Sequence, residues 1–179
     1  YVDDNKISHR DPEVVSQVIR EIETYFGKLK VNRGNKHDYL GMNIVFKDGK
    51  VEVEMKDQIR EAIQWYGELS NAKPPTPAAK HLFMTNENAE VLEASVGEKF
   101  HSVVAKLLYI SKRARPNIEP TVAFLCTRVS CPDVDDWKKL GRLISYINNT
   151  IDDKRIIGAS SLENLLTWVD AAYAVYKNM

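Results

Sequence analysis

Apolar residues recur three or four positions apart in five stretches of the chain, which predicts five helices. The first helix begins at Asp11-Pro12, a favourable start, and Gly27 marks its end. The other four are expected over 56–69, 100–114, 118–129 and 133–149. Pro120 lies near the start of the fourth helix, where proline is tolerated.

Between the first two helices the pattern changes to that of strands. Residues 39–46 predict one strand, and Asp48-Gly49 predicts a tight hairpin turn after it. Apolar residues at 51, 53 and 55 alternate with glutamates, which predicts a returning strand with one solvated face. We also expect a short strand at 29–31 and another at 165–169 that ends in Asp170.

A polar loop is expected over 70–97, because Pro74-Pro75-Thr76-Pro77 cannot continue the preceding helix. This loop is longer than compact domains usually contain, which indicates a domain boundary or a mobile functional segment. The chain begins with Tyr1 rather than Met and stops within a pattern, so we expect it to be a piece of a longer protein.

The composition is that of an ordinary globular protein, with 44% hydrophobic and 28% charged residues among 179. The 25 basic and 25 acidic residues cancel, which argues mildly against a nucleic-acid partner unless the charges are segregated. Residues 28–37 and 106–115 carry cations and no acid, although such runs are more often solvated faces. Cys126 and Cys131 lack the spacing of a zinc site, and no apolar stretch is long enough to span a membrane.

Two adjacent carboxylates, Asp3 and Asp4, follow Tyr1 and Val2 at the start of the chain. A tight turn that holds paired carboxylates can bind the two Mg²⁺ ions with which a polymerase activates a primer end. The alternative is a turn that joins a strand to a helix, since aspartate favours turns.

Five motifs occur in an order and spacing typical of one family. They are Tyr1-Val2-Asp3-Asp4, His37-Asp38-Tyr39-Leu40-Gly41-Met42, Val103-Val104-Ala105-Lys106-Leu107-Leu108-Tyr109, Arg115-Pro116-Asn117-Ile118 and Trp137-Lys138-Lys139-Leu140. With these motifs the chain resembles the copia-type retrotransposon polyprotein, from the second half of the reverse transcriptase palm to the start of the ribonuclease H domain. No later motif is diagnostic alone, and the five together carry the resemblance.

The resemblance implies an α+β fold in three parts. Residues 1–55 would be the C-terminal part of the palm, with a partial antiparallel sheet and the primer-grip hairpin. Residues 56–150 would be the helices of the thumb and connection. Residues 151–179 would be the first strands of a truncated RNase H-like domain.

The resemblance also implies roles for the acidic and amino-terminal residues. Asp3 and Asp4 would be the catalytic residues and would bind Mg²⁺, or Mn²⁺ in its place. Asp170 would be the first metal-binding aspartate of the RNase H domain. Tyr1 and Val2 would lie beneath the incoming nucleotide or the primer end.

Two further groups of residues would bind nucleic acid. The hairpin 39–55 would be the primer grip, with contacts at Tyr39, Leu40, Gly41 and Met42; the alternative for the glycine is an ordinary bulge. Four cations of the thumb would bind backbone phosphates: Lys106, Lys112, Arg113 and Arg115. The alternative for the two arginines is that they neutralise the carboxyl end of their helix.

The implied partners are an RNA or DNA template–primer duplex, deoxynucleoside triphosphates and the remainder of the polyprotein, with no membrane. The implied location is intracellular, in a cytoplasmic virus-like particle with access to the nucleus. Two-metal synthesis needs a third carboxylate and the nucleotide-binding fingers, which precede the Tyr-Val-Asp-Asp turn in this family. We therefore expect the chain by itself to be inactive.

Three differences from the family pattern leave other hypotheses open. Ala105 replaces the usual glycine, Asn117 replaces the usual aspartate, and Pro120 interrupts a helix. These differences fit an active enzyme and also a decaying genomic copy. The alternatives are a non-catalytic remnant that binds duplex nucleic acid, and an unrelated α+β domain whose Asp-Asp is only a turn.

Overall fold

The computed structural model describes residues 4–159, 161, 163–164, 167 and 169. These residues form an α+β fold with five α-helices and one antiparallel sheet of four strands. In chain order the elements are α1 (Pro12–Phe26), β1 (Lys36–Tyr39), β2 (Met42–Lys47), β3 (Lys50–Glu54), α2 (Lys56–Tyr66), α3 (Ala94–Arg113), a 3-10 helix (Pro116–Ile118), α4 (Glu119–Arg128), α5 (Val134–Asn149) and β4 (Arg155–Ile157).

The strands lie in sequence order across the sheet, and each pairs antiparallel with the next. β2 and β3 form the predicted hairpin, whose turn has positive φ angles at Asp48 and Gly49. β4 pairs with β3, with Arg155 opposite Val53. The sequence pattern did not predict β4, and through it the sheet continues past residue 150, where we expected a domain boundary.

The hydrophobic core lies among helices α2 to α5. Its most deeply buried side chains include Ile59, Phe100, Leu107, Ile110, Leu125, Leu140, Leu143 and Ile144. Val53 and Met55, at the end of the β2–β3 hairpin, are buried in the same cluster. The sheet is therefore fixed to the helices through β3, and burial of these apolar groups is the main force that holds the two parts together.

The first predicted helix is confirmed at both ends. The Asp11 side chain accepts a 2.9 Å hydrogen bond from the Glu13 N–H, and Gly27 follows the last turn with a φ of 79°. No side chain of α1 is buried. Among the described residues, no helix combines the length and apolar character needed to cross a membrane.

One strand prediction was wrong, and a second was confirmed only in part. Residues 29–31 form no strand, and the Leu29 N–H donates instead to the Glu23 carboxylate at 3.0 Å. The expected strand over 39–46 is divided by a turn at Leu40-Gly41, where φ is 51° and 72°. A continuous strand needs negative φ angles at both positions, so this turn reverses the chain and creates β1 and β2.

The boundaries of the long loop also differ from the prediction. α2 ends at Tyr66 because Gly67 adopts the left-handed conformation, with its N–H bonded to Ile63 O at 3.0 Å. α3 begins at Ala94, so the loop covers 67–93 rather than 70–97. Most of the predicted strand at 165–169, and Asp170 itself, lie outside the described residues.

Candidate nucleic-acid interface

The turn between β1 and β2 is attached to the third helix. Tyr109, on α3, donates a 2.7 Å hydrogen bond from its hydroxyl to the carbonyl oxygen of Leu40. Tyr39 and Met42 face each other across the turn, and Met42 packs against the hydrophobic core. The four predicted primer-grip residues therefore form one compact turn at the junction of the sheet and α3.

Gly41 is a turn glycine that also allows a close approach. Its φ of 72° is in the left-handed region, and a Cβ atom there would lie 2.5 Å from the side-chain nitrogen of Gln58 on α2. Glycine is favoured for both reasons. The group that lies closest to Gly41 is the Gln58 side chain, and the sequence around Gly41 gives no sign of this contact.

Two of the predicted phosphate-binding cations, Lys112 and Arg113, lie at the carboxyl end of α3. The guanidinium carbon of Arg113 lies 3.6 Å from the ring centroid of Tyr109, and Arg113 Nη1 donates to the Tyr109 carbonyl at 3.3 Å. Lys112 pairs with Glu119, and its side chain is 56% exposed. Arg113 therefore contacts the last turn of its helix, as the helix-end alternative requires, while Lys112 remains open to solvent.

Arg155, on β4, also contributes to this end of α3. Its Nη1 donates to the carbonyl oxygens of Lys112 and Arg113 at 3.3 and 3.2 Å. The last carbonyls of a helix have no partner within the helix, and a cation at this end interacts favourably with the negative end of the helix dipole. Sequence reasoning missed Arg155, because only the unpredicted pairing of β4 with β3 brings it to this position.

Lys106 lies on α3 but is engaged with α2. Its ammonium pairs with Glu61 and lies 4.2 Å from the ring centroid of Trp65, and its side chain is only 17% exposed. A phosphate contact from Lys106 would require it to leave both partners.

Arg115, a predicted phosphate contact, is buried and makes its hydrogen bonds within the chain. Its side chain is 2% exposed and donates to Thr150 O at 2.8 Å, to Thr150 Oγ1 at 2.7 Å and to Asn117 Oδ1 at 3.1 Å. Burial lowers the pKa of the guanidinium, and Asp153, 3.7 Å away, opposes that effect. The side chain joins the ends of α3 and α5 and has no open face for a phosphate.

The predicted metal and nucleotide residues fall mostly outside the described part of the chain. Tyr1, Val2, Asp3 and Asp170 are not among the described residues, and Asp4 is exposed. Within the described residues, no group of three or more histidine, cysteine, aspartate or glutamate side chains could hold a metal ion. Asp4 is a single carboxylate and a two-metal site needs several, so whether this end of the chain fits Mg²⁺ depends on residues outside the described part.

Comparison with known proteins finds a distant relative in a plant. The chain is 24% identical over 174 residues to the uncharacterized mitochondrial protein AtMg00810 of Arabidopsis thaliana, an alignment that covers 97% of this chain and 70% of that protein. No protein-family model matches the chain, and no solved structure matches it. The similarity therefore extends over the sheet and the helices alike, and the name of the relative states no activity.

Proposed function

We propose that the chain is the palm-to-thumb segment of a copia-type retrotransposon reverse transcriptase, and that it binds a template–primer duplex. In this proposal the duplex lies against the β1–β2 turn and the carboxyl end of α3. The single observation that carries the proposal is the hydrogen bond from Tyr109 to Leu40. It joins in space two of the motifs on which the resemblance depends, 37–42 and 103–109.

This contact supports the proposal because the two motifs are 69 residues apart in sequence. An unrelated domain that matched the motifs by chance would have no reason to bring them together. A polymerase has such a reason, since phosphoryl transfer depends mainly on the position of the primer end relative to the bound duplex. A rigid link between the β1–β2 turn and α3 would fix that position.

The cations of α3 have unequal roles in this proposal. Lys112 is the best phosphate contact, because it is exposed and its pairing with Glu119 is at the surface. Arg113 would contact a phosphate with the edge of its guanidinium, which the Tyr109 ring already orients. Lys106 would contribute only after separation from Glu61.

The chemistry would belong to the longer parent protein. There Asp3 and Asp4, with a carboxylate from the preceding palm segment, would hold Mg²⁺ or Mn²⁺, which would activate the primer hydroxyl and bind triphosphate oxygens. Asp170 would serve the RNase H site in the same way. The β1–β2 turn and α3 would hold the primer and the duplex.

Duplex binding tests the proposal directly. We expect a fluorescently labelled RNA–DNA hybrid to bind the chain in an anisotropy titration, and Tyr109→Phe to weaken binding roughly fivefold because one positioning hydrogen bond is lost. Lys112→Gln should lower the salt dependence by about one released counterion. Arg20→Gln is the matched control, since Arg20 is an exposed cation of α1 paired with Glu13.

No binding by the unaltered chain would contradict the proposal, and so would equal effects of Tyr109→Phe and Arg20→Gln. In the parent protein, Asp3→Ala should abolish primer extension and leave duplex binding nearly unchanged. A loss of both would assign Asp3 a structural role. Duplex binding without extension by the unaltered parent would instead indicate the non-catalytic remnant.

A further inference from the structure

A cleft of about 490 Å³ lies between α5 and the loop 76–86, on residues that the proposed duplex contact does not use. Three cations of α5 line it, Lys138, Lys139 and Arg142, and His81 lies at the opposite wall. Asp135 is the one acidic residue among the described residues that line the cleft. The cleft therefore has a net positive lining in a chain whose total formal charge is zero.

Two of these cations are held in place by the loop. Lys139 donates to the Met84 carbonyl at 2.6 Å, and its side chain is only 10% exposed. Arg142 donates from Nη2 to Thr76 Oγ1 at 3.1 Å. Neither loop contact neutralises a charge, because both acceptors are uncharged oxygens, although the Lys139 ammonium also forms an ion pair with the Asp136 carboxylate at 3.9 Å. The loop thus fixes the positions of the two cations and leaves the charge of Arg142 without an ion-pair partner among the described residues.

Arg142 has an unused donor. Its Nε is buried and has no hydrogen-bond partner among the described residues, and no carboxylate of those residues forms an ion pair with it. Buried donors without partners are rare in folded proteins, and they often occur where an ion or ligand binds. A guanidinium with free donors is suited to bind the oxygens of a phosphate.

We propose that this cleft binds a phosphate group, held by Arg142, Lys139 and Lys138. The favoured source is the backbone of a single nucleic-acid strand, because the cleft has an apolar rim. Met84 lines the cleft and is 71% exposed, and Pro77, Ala78 and Ala79 add apolar surface to the lining. Exposed apolar side chains beside cations can contact the sugar and base that accompany a backbone phosphate.

Lys138 and Lys139 belong to the motif 137–140, to which the proposed duplex contact gives no role. The cleft shares no residue with the β1–β2 turn or with α3. The two sites can therefore be tested separately, and the failure of one does not imply the failure of the other.

The test measures binding of two probes to the whole chain: a short single-stranded oligodeoxynucleotide by anisotropy, and inorganic pyrophosphate by calorimetry. We expect Arg142→Gln to weaken binding roughly tenfold, as expected for one charge-assisted contact. Lys138→Gln should weaken it about threefold; this side chain is 74% exposed, so its replacement does not endanger folding. The matched control is Arg60→Gln, an exposed cation of α2 paired with Asp57.

Binding of the oligonucleotide that depends on Arg142 supports the strand as the source, and stronger binding of pyrophosphate supports a free phosphate compound. Binding of neither probe by the unaltered chain would overturn the proposal. It would also be overturned if Arg142→Gln and Lys138→Gln bound both probes as well as Arg60→Gln does. Tyr109→Phe should leave binding at this cleft unchanged, which separates the result from the duplex test.

Discussion

Replacement of Arg115 by lysine and by methionine separates a structural role from a phosphate-binding role. The side chain is buried between the ends of α3 and α5 and makes three hydrogen bonds, two of them to Thr150. A surface phosphate contact would tolerate lysine, which keeps the charge, and would lose affinity with methionine. The structure leads to the opposite expectation, in which lysine is the worse replacement.

The magnitudes follow from the contacts. Lysine keeps a buried cation but can satisfy only part of the three acceptors, and each charged hydrogen bond contributes about 1.5–3 kcal/mol. We expect Arg115→Lys to lower the free energy of unfolding by about 2–4 kcal/mol. Methionine leaves Thr150 O without its donor but also removes the cost of burying a charge, so Arg115→Met should cost about 1–2 kcal/mol. Asp153 adds little, since its carboxylate is 57% exposed.

Urea denaturation followed by circular dichroism measures these differences. For a chain of this length, the larger loss corresponds to a fall in melting temperature of roughly 5–15 °C. Arg113→Lys is the matched control and should change stability by less than about 1 kcal/mol, because its guanidinium lies on the edge of α3. The reasoning would be refuted if Arg115→Lys were as stable as the unaltered chain, or if Arg115→Met kept full stability and lost only duplex affinity.

Three further substitutions test local features. Gly41→Ala should lower the free energy of unfolding by about 1–2 kcal/mol in urea denaturation, because its φ is positive and the new Cβ would meet Gln58. The double variant Gly41→Ala/Gln58→Ala should restore part of this loss. If it restores none, the contact with Gln58 is excluded as a cause. Burial raises the pKa of Tyr66 to about 12, above the 10.0 of an exposed tyrosine, so the protonated phenol favours the folded state. The free energy of unfolding should therefore fall by up to about 2 kcal/mol as the pH rises from 10 to 12. The same fall in Tyr66→Phe would refute this cause. Ala105→Gly, which introduces the glycine usual in the family at an exposed position of α3, should cost about 1 kcal/mol; an unchanged midpoint would show that this part of α3 is not rigid.

The helices and the β2–β3 hairpin could be predicted because their signals are local. The Asp133 side chain accepts from the N–H groups of Asp135 and Asp136, so the start of α5 is fixed within four residues. Asp48-Gly49 likewise determines its own turn. The turn at Leu40-Gly41 was missed because leucine rarely adopts a positive φ, and because the hydrogen bond that supports the turn comes from Tyr109, which is distant in sequence.

β4 could not be predicted because its signal is not local. The segment Arg155–Ile157 has three residues, two of them exposed, and it becomes a strand only where β3 offers an unpaired edge. Two ion pairs lie beside the pairing of β4 with β3: Lys56 with Asp152 at 2.7 Å, and Lys154 with Glu52 at 2.8 Å. These partners are 96 and 102 residues apart in sequence, so the pattern of either segment alone contains no information about the other.

The distribution of cations shows why charge along the sequence is a poor guide to an interface. The run 106–115 is basic in sequence, yet its members have different surroundings: Lys106 pairs with Glu61 of α2, Lys112 pairs with Glu119 of α4, Arg113 lies on the Tyr109 ring, and Arg115 is buried. In contrast, Lys138, Lys139 and Arg142 lie close together on α5 and line the same cleft, although acids precede them in sequence. Phosphate affinity depends on charges that a single ligand can reach together. Neutralising the three cations of α5 should therefore weaken binding of a single strand more than neutralising Lys106, Lys112 and Arg113, and the reverse order would show that α3 contains the main binding surface.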